Sequence, residues 1–206
     1  MATTSWAFPT GYSCARDHCI LVFVRAAAQF GLEVRPGDTV LEVGCAEADW
    51  LALAEHHQPD ASFIGVDVRP YTGKGKVAIQ GDIFEQEFGN GSLDGVVMVS
   101  ALEHIGLGHY GDPAVENGDH LLMSKLLRWL KPGGWVYADV PWNADRAWTD
   151  GTSHRVYSPM TIDAFGQLEH RAYYMKDAIP LTERAAIECT GGSDDWVYCA
   201  NLWRKS

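Results

Sequence analysis

The chain predicts an α/β fold: a doubly wound, mostly parallel sheet of about seven strands, one of them antiparallel, with helices on both faces. Three observations carry this reading. Short apolar runs at 39–44, 62–68, 77–82, 95–100 and 135–140 alternate with helical segments, the order that needs right-handed crossovers between parallel strands. Their composition is continuously apolar, as for strands covered on both faces. Several of them end in glycine or an acid, at the end of the strand where such sheets place their ligands.

The elements follow in order. A polar, aromatic lead with Trp6, Phe8 and Tyr12 precedes a helix from about Cys14 to Phe30, with Ser13 as its cap and Gly31 as its stop. Arg35-Pro36-Gly37-Asp38 is a turn into strand 39–44, and a helix then runs through roughly His57. Pro59-Asp60 breaks the chain before strand 62–68, strand 77–82 follows, and Asn90-Gly91 introduces strand 95–100. A helix from about Asp119 to Leu130 is stopped by Lys131-Pro132-Gly133-Gly134, which opens strand 135–140. Beyond it lie a loop at 141–158, a short helix at 159–166 and strand-like runs at 171–175 and 196–203.

At 206 residues the chain is long enough for one domain that buries roughly 70% of its unfolded surface. With 47% hydrophobic and 21% charged residues, no run of eighteen apolar residues and no basic-then-apolar leader, the expectation is a soluble, cytoplasmic protein without membrane contact. A formal charge of −11 argues against a broad phosphate-backbone footprint, so nucleic acid is an unlikely partner and a small uncharged or cationic substrate fits better. Five cysteines without a CxxC pair suggest neither a disulfide framework nor a zinc knuckle. The basic stretch Arg69 to Lys76 reads as solvated surface, and the oligomeric state is left open.

The densest chemical signal is Thr39 to Trp50, a strand breaking through a small-residue turn into a helix. Gly44 stands where backbone must approach a ligand, and Ala46 and Ala48 stand where a dinucleotide fingerprint has its second and third glycines. Asp67 lies near the roughly 20-residue offset expected of a carboxylate that holds a ribose diol. A third strand ends at Gly81-Asp82, where Asp82 can accept from an adenine amine and Ile83 can pack on the ring. Glu42, Glu47 and Asp49 would repel a pyrophosphate, which disfavours an NAD-dependent oxidoreductase.

In this order of motifs the chain resembles the class I S-adenosylmethionine-dependent methyltransferases, a Rossmann-like family, over residues 35 to 140. Leu126-Leu127-Arg128-Trp129-Leu130-Lys131-Pro132-Gly133-Gly134-Trp135 is similar to the family's segment before its fifth strand. The resemblance implies S-adenosyl-L-methionine as cofactor, with Glu42 beside the methionine end and Gly44 admitting the cofactor. The expected cofactor-binding set is Glu42, Gly44, Cys45, Ala46, Asp67, Val68, Asp82, Ile83 and Ser100. A sulfonium and an ammonium without phosphate suit an acidic loop. The expected organisation is one domain over 1–206: a helical lead at 1–34, a cofactor-binding core at 35–140, and a substrate-side loop with C-terminal strands at 141–206.

Strand four leads into Ser100-Ala101-Leu102-Glu103-His104, which places Glu103 and His104 over the expected transfer point, with His104 as the candidate base. The glycines Gly106, Gly108 and Gly111 suggest a flexible loop carrying His109, Tyr110 and Asp112. The 141–158 loop adds Asn143, Asp145, Arg146, His154, Arg155 and Tyr157, with His154 a second catalytic candidate. These segments also resemble a small methyltransferase-like family associated with carbohydrate-modifying gene clusters. That resemblance implies a sugar or other small-molecule hydroxyl as acceptor. The competing expectations are an N-methyltransferase and a non-catalytic S-adenosylmethionine-binding protein. No Asn/Asp-Pro-Pro-Tyr/Phe motif follows strand four, and Ser100 replaces the Asp usual in metal-dependent relatives, so no metal ligand set is expected.

Overall fold

The computed structural model describes residues 17–46, 49–175, 178–190 and 197–206. Trp6, Phe8, Tyr12, the Ser13 cap, Cys14, Glu47, Ala48 and Trp196 lie outside the described residues. Helix α1 (Asp17–Phe30) precedes β1 (Thr39–Val43), α2 (Trp50–His57), β2 (Ser62–Asp67), β3 (Ala78–Gln80) and β4 (Leu93–Val99). After a short 3-10 turn at Leu102–His104 come α3 (Gly118–Trp129), β5 (Leu130–Trp142), β6 (Trp148–Asp150), β7 (His154–Val156) and α4 (Pro159–Asp163). The chain continues through β8 (Leu168–Tyr174), β9 (Pro180–Leu181), α5 (Glu183–Cys189) and β10 (Val197–Arg204).

The main sheet has the order β3-β2-β1-β4-β5-β10-β8-β9. Strands β1 to β5 pair in parallel, whereas β10 is antiparallel to both β5 and β8. The strand order reverses between β1 and β4, and this leaves a crevice beyond their C-terminal ends. Alternation along the strands feeds two cores. Val40, Phe63, Val97, Val99 and Tyr137 pack under α1 and α2, while Leu41, Val66, Val96, Met98 and Val136 pack under α3. That two-sided burial is why the strands read as continuous apolar runs. Phe23 of α1 meets the rings of Trp50 and Tyr137 edge-on, at 5.5 and 4.9 Å, and so joins both helices to β5.

Four expectations are corrected. Among the described residues the sheet has eight strands where about seven were expected, because the two-residue β9 pairs with β8. The stretch read as a loop at 141–158 contains a hairpin, β6 against β7, turned through Asp150-Gly151. α5 is a helix that the sequence pattern does not predict, started by Thr182, whose side chain accepts the Ala185 N–H. β5 runs from Leu130 to Trp142, longer than expected at both ends because β10 pairs with it from Trp135 to Trp142.

Candidate active site

The ends of β1, β2 and β4 and the loop after β3 frame an open pocket, walled by Gly44, Asp67, Val68, Asp82, Ile83, Ser100 and His104 together with Arg69, Tyr110 and Asp112. Gly44 adopts φ +84°, and a Cβ there would stand 2.5 Å from the Cβ of Ala101. Only glycine lets β1 turn so close to the segment after β4. Ser100 also takes a left-handed backbone, φ 47°, which swings the chain from β4 into the turn that carries His104. Val43, Val66, Val68, Ile83 and Phe84 give the pocket an apolar wall, and the carboxylates of Asp67, Asp82 and Asp112 stand in the same lining.

Asp67 is buried and heavily engaged. Its Oδ2 accepts the Ala46 backbone N–H at 2.9 Å, and its Oδ1 accepts the Arg69 backbone N–H at 2.8 Å and Arg69 Nε at 3.3 Å. The Arg69 guanidinium in turn lies over the Tyr110 ring, 4.1 Å from its centroid. One arginine therefore links the end of β2 to the loop after β4. Across the pocket, Asp82 Oδ1 accepts the Phe84 N–H at 2.9 Å, and Lys125 of α3 donates to the Phe84 carbonyl at 2.7 Å.

The stretch Arg69 to Lys76 is not merely solvated surface. It folds back over the β1–α2 turn: Thr72 donates its N–H to the Ala46 carbonyl at 2.9 Å, Lys74 donates its N–H to Asp49 Oδ1 at 3.2 Å, and Lys74 Nζ lies 3.7 Å from Asp49 Oδ2. Asp49 therefore neutralises this loop and does not face the pocket, so the expectation that it faces a cofactor is withdrawn. Cys45 is corrected in the same way. Its side chain is fully buried in the core under α2, and burial, with the charges of Glu42 and Asp67, pushes its thiol pKa up. Ala46 is buried as well, and its backbone serves Asp67 and Thr72.

The second half of the site begins with Glu103, which is 1% exposed and accepts a 2.6 Å hydrogen bond from Ser100 Oγ. His104 Nε2 lies 3.8 Å from Glu103 Oε1, and its Nδ1 lies 2.5 Å from the Ser153 carbonyl oxygen. The His104 ring is stacked near His109 at 5.8 Å and meets Tyr110 and His154 edge-on at 5.2 and 6.4 Å. His154, expected as a second catalytic group, is therefore next to His104 but outside the pocket lining. Arg155 and Tyr157 turn inward: Tyr157 donates to Asp119 Oδ2 at 3.0 Å, and Arg155 Nε lies 3.5 Å from the same oxygen. Burial first, and then Asp119, hold the Tyr157 phenol well above its usual pKa.

Glu42 is buried on the face of β1 opposite Leu41 and Val43 and is outside the pocket lining. The residues not foreseen as site residues are Arg69 in the pocket wall, Ser153, through its carbonyl, and Asp119, whose partners Arg155 and Tyr157 lie 36 and 38 positions away. The expected flexible loop is instead tied, since Val115 donates its N–H to the Gly106 carbonyl at 2.9 Å. Among the described residues, no group of three His, Cys, Asp or Glu side chains stands close enough to hold a metal ion, and no helix is long and apolar enough to cross a membrane.

No curated protein sequence matches the chain. Solved structures match its fold. One is the 1,6-didemethyltoxoflavin-N1-methyltransferase of Burkholderia thailandensis with 1,6-didemethyltoxoflavin and S-adenosylhomocysteine bound, at TM-score 0.61 and 12% identity, covering 93% of this chain and 80% of that one. A second is coclaurine N-methyltransferase with N-methylheliamine and S-adenosylhomocysteine, at TM-score 0.65 and 9% identity, covering 98% and 77%. A third is the geranyl diphosphate C-methyltransferase of Streptomyces coelicolor A3(2), at TM-score 0.57 and 13% identity, covering 96% and 86%. At these identities the likeness is one of fold. A family profile described as a methyltransferase domain matches residues 20–179, most of the length, and the chain therefore belongs to the methyltransferase-domain family.

Proposed function

We propose that the protein transfers a methyl group from S-adenosyl-L-methionine to a hydroxyl of a small molecule, with His104 as the base. The observation that carries this is the charge and shape of the pocket. It sets the carboxylates of Asp67, Asp82 and Asp112 against an apolar wall, and Arg69, the one arginine among its described lining residues, is already paired with Asp67. Such a lining repels phosphate and suits a nucleoside whose far end is cationic. In this reading Asp67 holds the ribose, Asp82 and Ile83 flank the adenine, Val68 and Ser100 line the cleft, and Gly44 lets the methionine end approach the end of β1, while buried Glu42 stands outside the lining. Binding of S-adenosylhomocysteine by each of the three structures named above supports the same cofactor.

The chemistry that cofactor supplies when bound is an electrophilic methyl carbon on a sulfonium sulfur. The chain's own contribution is alignment and proton removal. A carbonyl oxygen only accepts, so Nδ1 of His104 carries the hydrogen toward Ser153, and Nε2 is the nitrogen that can take the acceptor's proton. Glu103, buried 3.8 Å from that nitrogen, stabilises the imidazolium so formed. The acidic balance of −11 favours a small acceptor over nucleic acid, and the ring cluster of His104, His109 and Tyr110 suits a sugar or comparable polyol stacked at the pocket mouth.

Calorimetry with S-adenosylhomocysteine and transfer of labelled methyl to a panel of hydroxylated and amine acceptors test the reading. His104→Gln should retain cofactor binding and lose about 10²- to 10⁴-fold in kcat. No binding of S-adenosylhomocysteine at millimolar concentration by the folded protein would refute the cofactor assignment, and labelling of amines alone would refute the hydroxyl acceptor.

A further inference from the structure

We infer that the β6–β7 hairpin is a positioning device for His104: the Ser153 carbonyl fixes the imidazole as its Nδ1–H tautomer, and Arg155 is the positioning residue that locks the hairpin to the His104 turn. The inference rests on His104 being the base, and it concerns what makes the ring fit for that role.

A neutral histidine ring in water ordinarily favours the Nε2–H form, which would offer the wrong nitrogen here. Which nitrogen carries the proton in a protein is set by what the other one bonds. The oxygen 2.5 Å from His104 Nδ1 belongs to a residue 49 positions away, at the turn of the hairpin, so the hairpin's placement decides the tautomer. That placement is enforced by side chains of β7 and the residue after it. Arg155 donates one guanidinium nitrogen to the Ile105 carbonyl at 2.7 Å and lies 3.5 Å from the Glu103 carbonyl. Tyr157 OH reaches the Leu102 carbonyl at 3.4 Å. The carbonyls on both sides of His104 are thus gathered by two hairpin-side residues, and both of these are anchored on buried Asp119 at the start of α3. With the Arg155 side chain only 14% exposed and that of Asp119 6%, this is a fixed clamp rather than a surface pair. A neutral tautomer with hydrogen on Nδ1 then keeps Nε2 for the proton that the methyl acceptor must lose.

The test is long-range proton–nitrogen NMR on the full chain labelled at histidine, at a pH where the ring is neutral, with the His104 signals assigned by their loss in His104→Gln. The expected result is a single Nδ1–H tautomer for His104 in the unaltered protein. In Arg155→Gln both tautomers should be populated, and kcat should fall roughly 10- to 100-fold through misplacement of the base while KM for the cofactor is unchanged. Arg155→Lys should recover part of kcat. A Nε2–H ring in the unaltered protein, or an Arg155→Gln protein whose tautomer stays pure Nδ1–H, overturns the inference. Because the first measurement needs no variant, it decides even where Arg155→Gln fails to fold. Undiminished turnover in His104→Gln would instead remove the base assignment, and the tautomer signal distinguishes the two failures.

Discussion

Gly44 and Asp67 define the site at the level of single side chains, and each carries a separate cost when changed. Gly44→Ala would force a Cβ into a left-handed backbone and against the Ala101 methyl group, neither of which has a flexible end to yield. The left-handed strain alone is roughly 1–2 kcal/mol, so urea unfolding should show at least that loss, together with weaker S-adenosylhomocysteine binding. An alanine variant as stable as the original would mean that the turn is looser than its geometry implies. Asp67 has two roles that two substitutions separate. Asp67→Asn keeps an oxygen that can accept from Ala46 but turns an amide NH2 toward the Arg69 N–H and removes the charge that pairs with Arg69 and would grip a ribose, so binding should weaken by about 1–3 kcal/mol with a smaller loss of stability than in Asp67→Ala. Asp67→Ala removes the acceptor as well and should lower both. Equal effects of the two on stability would show that the Ala46 bond contributes nothing.

At the level of elements, what could be read from the chain depended on how local its cause was. The central parallel strands β1, β2, β4 and β5 were legible because their largely two-sided burial leaves an apolar run that needs no partner to be recognised, whereas the edge strand β3 is mostly exposed. Gly44 and Asp67 were placed at the ends of these strands for the same reason, and Asp82 lies two residues beyond the edge strand β3. Asp49 was misassigned because its true partner, Lys74, is 25 residues on, and an acid near a glycine turn looks alike whether it faces a ligand or a loop. The β6–β7 hairpin escaped because its strands are three residues each and their outer positions are polar, although Asp150-Gly151 is a turn signal. α3 shows how a long-range bond governs the pocket wall. Lys125, 7% exposed, holds the Phe84 carbonyl, pairs with Glu87 at 3.0 Å and lies over the Trp129 ring. Lys125→Met would keep the apolar stem but leave that carbonyl without its donor, a loss of about 1–3 kcal/mol in unfolding free energy. Affinity for S-adenosylhomocysteine should fall with it, because Asp82 and Ile83 begin the same loop. Unchanged binding would show that the adenine-side wall stands without α3.

For the molecule as a whole, the distribution of buried phenols sets its response to base. Burial raises Tyr71, Tyr173, Tyr174 and Tyr198 from 10.0 to about 12, and lifts Tyr137 and Tyr157 well beyond the usual range. The Cys199 thiol is likewise pushed from 9.0 to about 12 by the core around it. In each case the folded pKa exceeds the unfolded one, so the folded state holds more protons between the two values. The resulting stability is complete below the unfolded pKa and is lost as pH rises through the folded one. Cys199 therefore begins to weaken the fold above about pH 9 and the tyrosines above about pH 10, each by up to about 1.4 kcal/mol per pH unit while its two states differ by a full proton. The two partly exposed phenols, Tyr71 and Tyr198, contribute less than the buried ones. Acting together against a typical total of about 5–15 kcal/mol, these groups should drive cooperative unfolding before pH 12. Unfolding free energies measured in urea under reducing conditions at half-unit steps from pH 8.5 to 11.5 should bend downward near 9 to 10 and steepen. Tyr137→Phe, which removes a fully buried phenol from β5, should make the slope shallower by about one proton's worth. A flat profile to pH 11.5 would mean that the phenols ionise in place, and that the two cores flanking the sheet are far more open to water than the packing of α1, α2 and α3 allows.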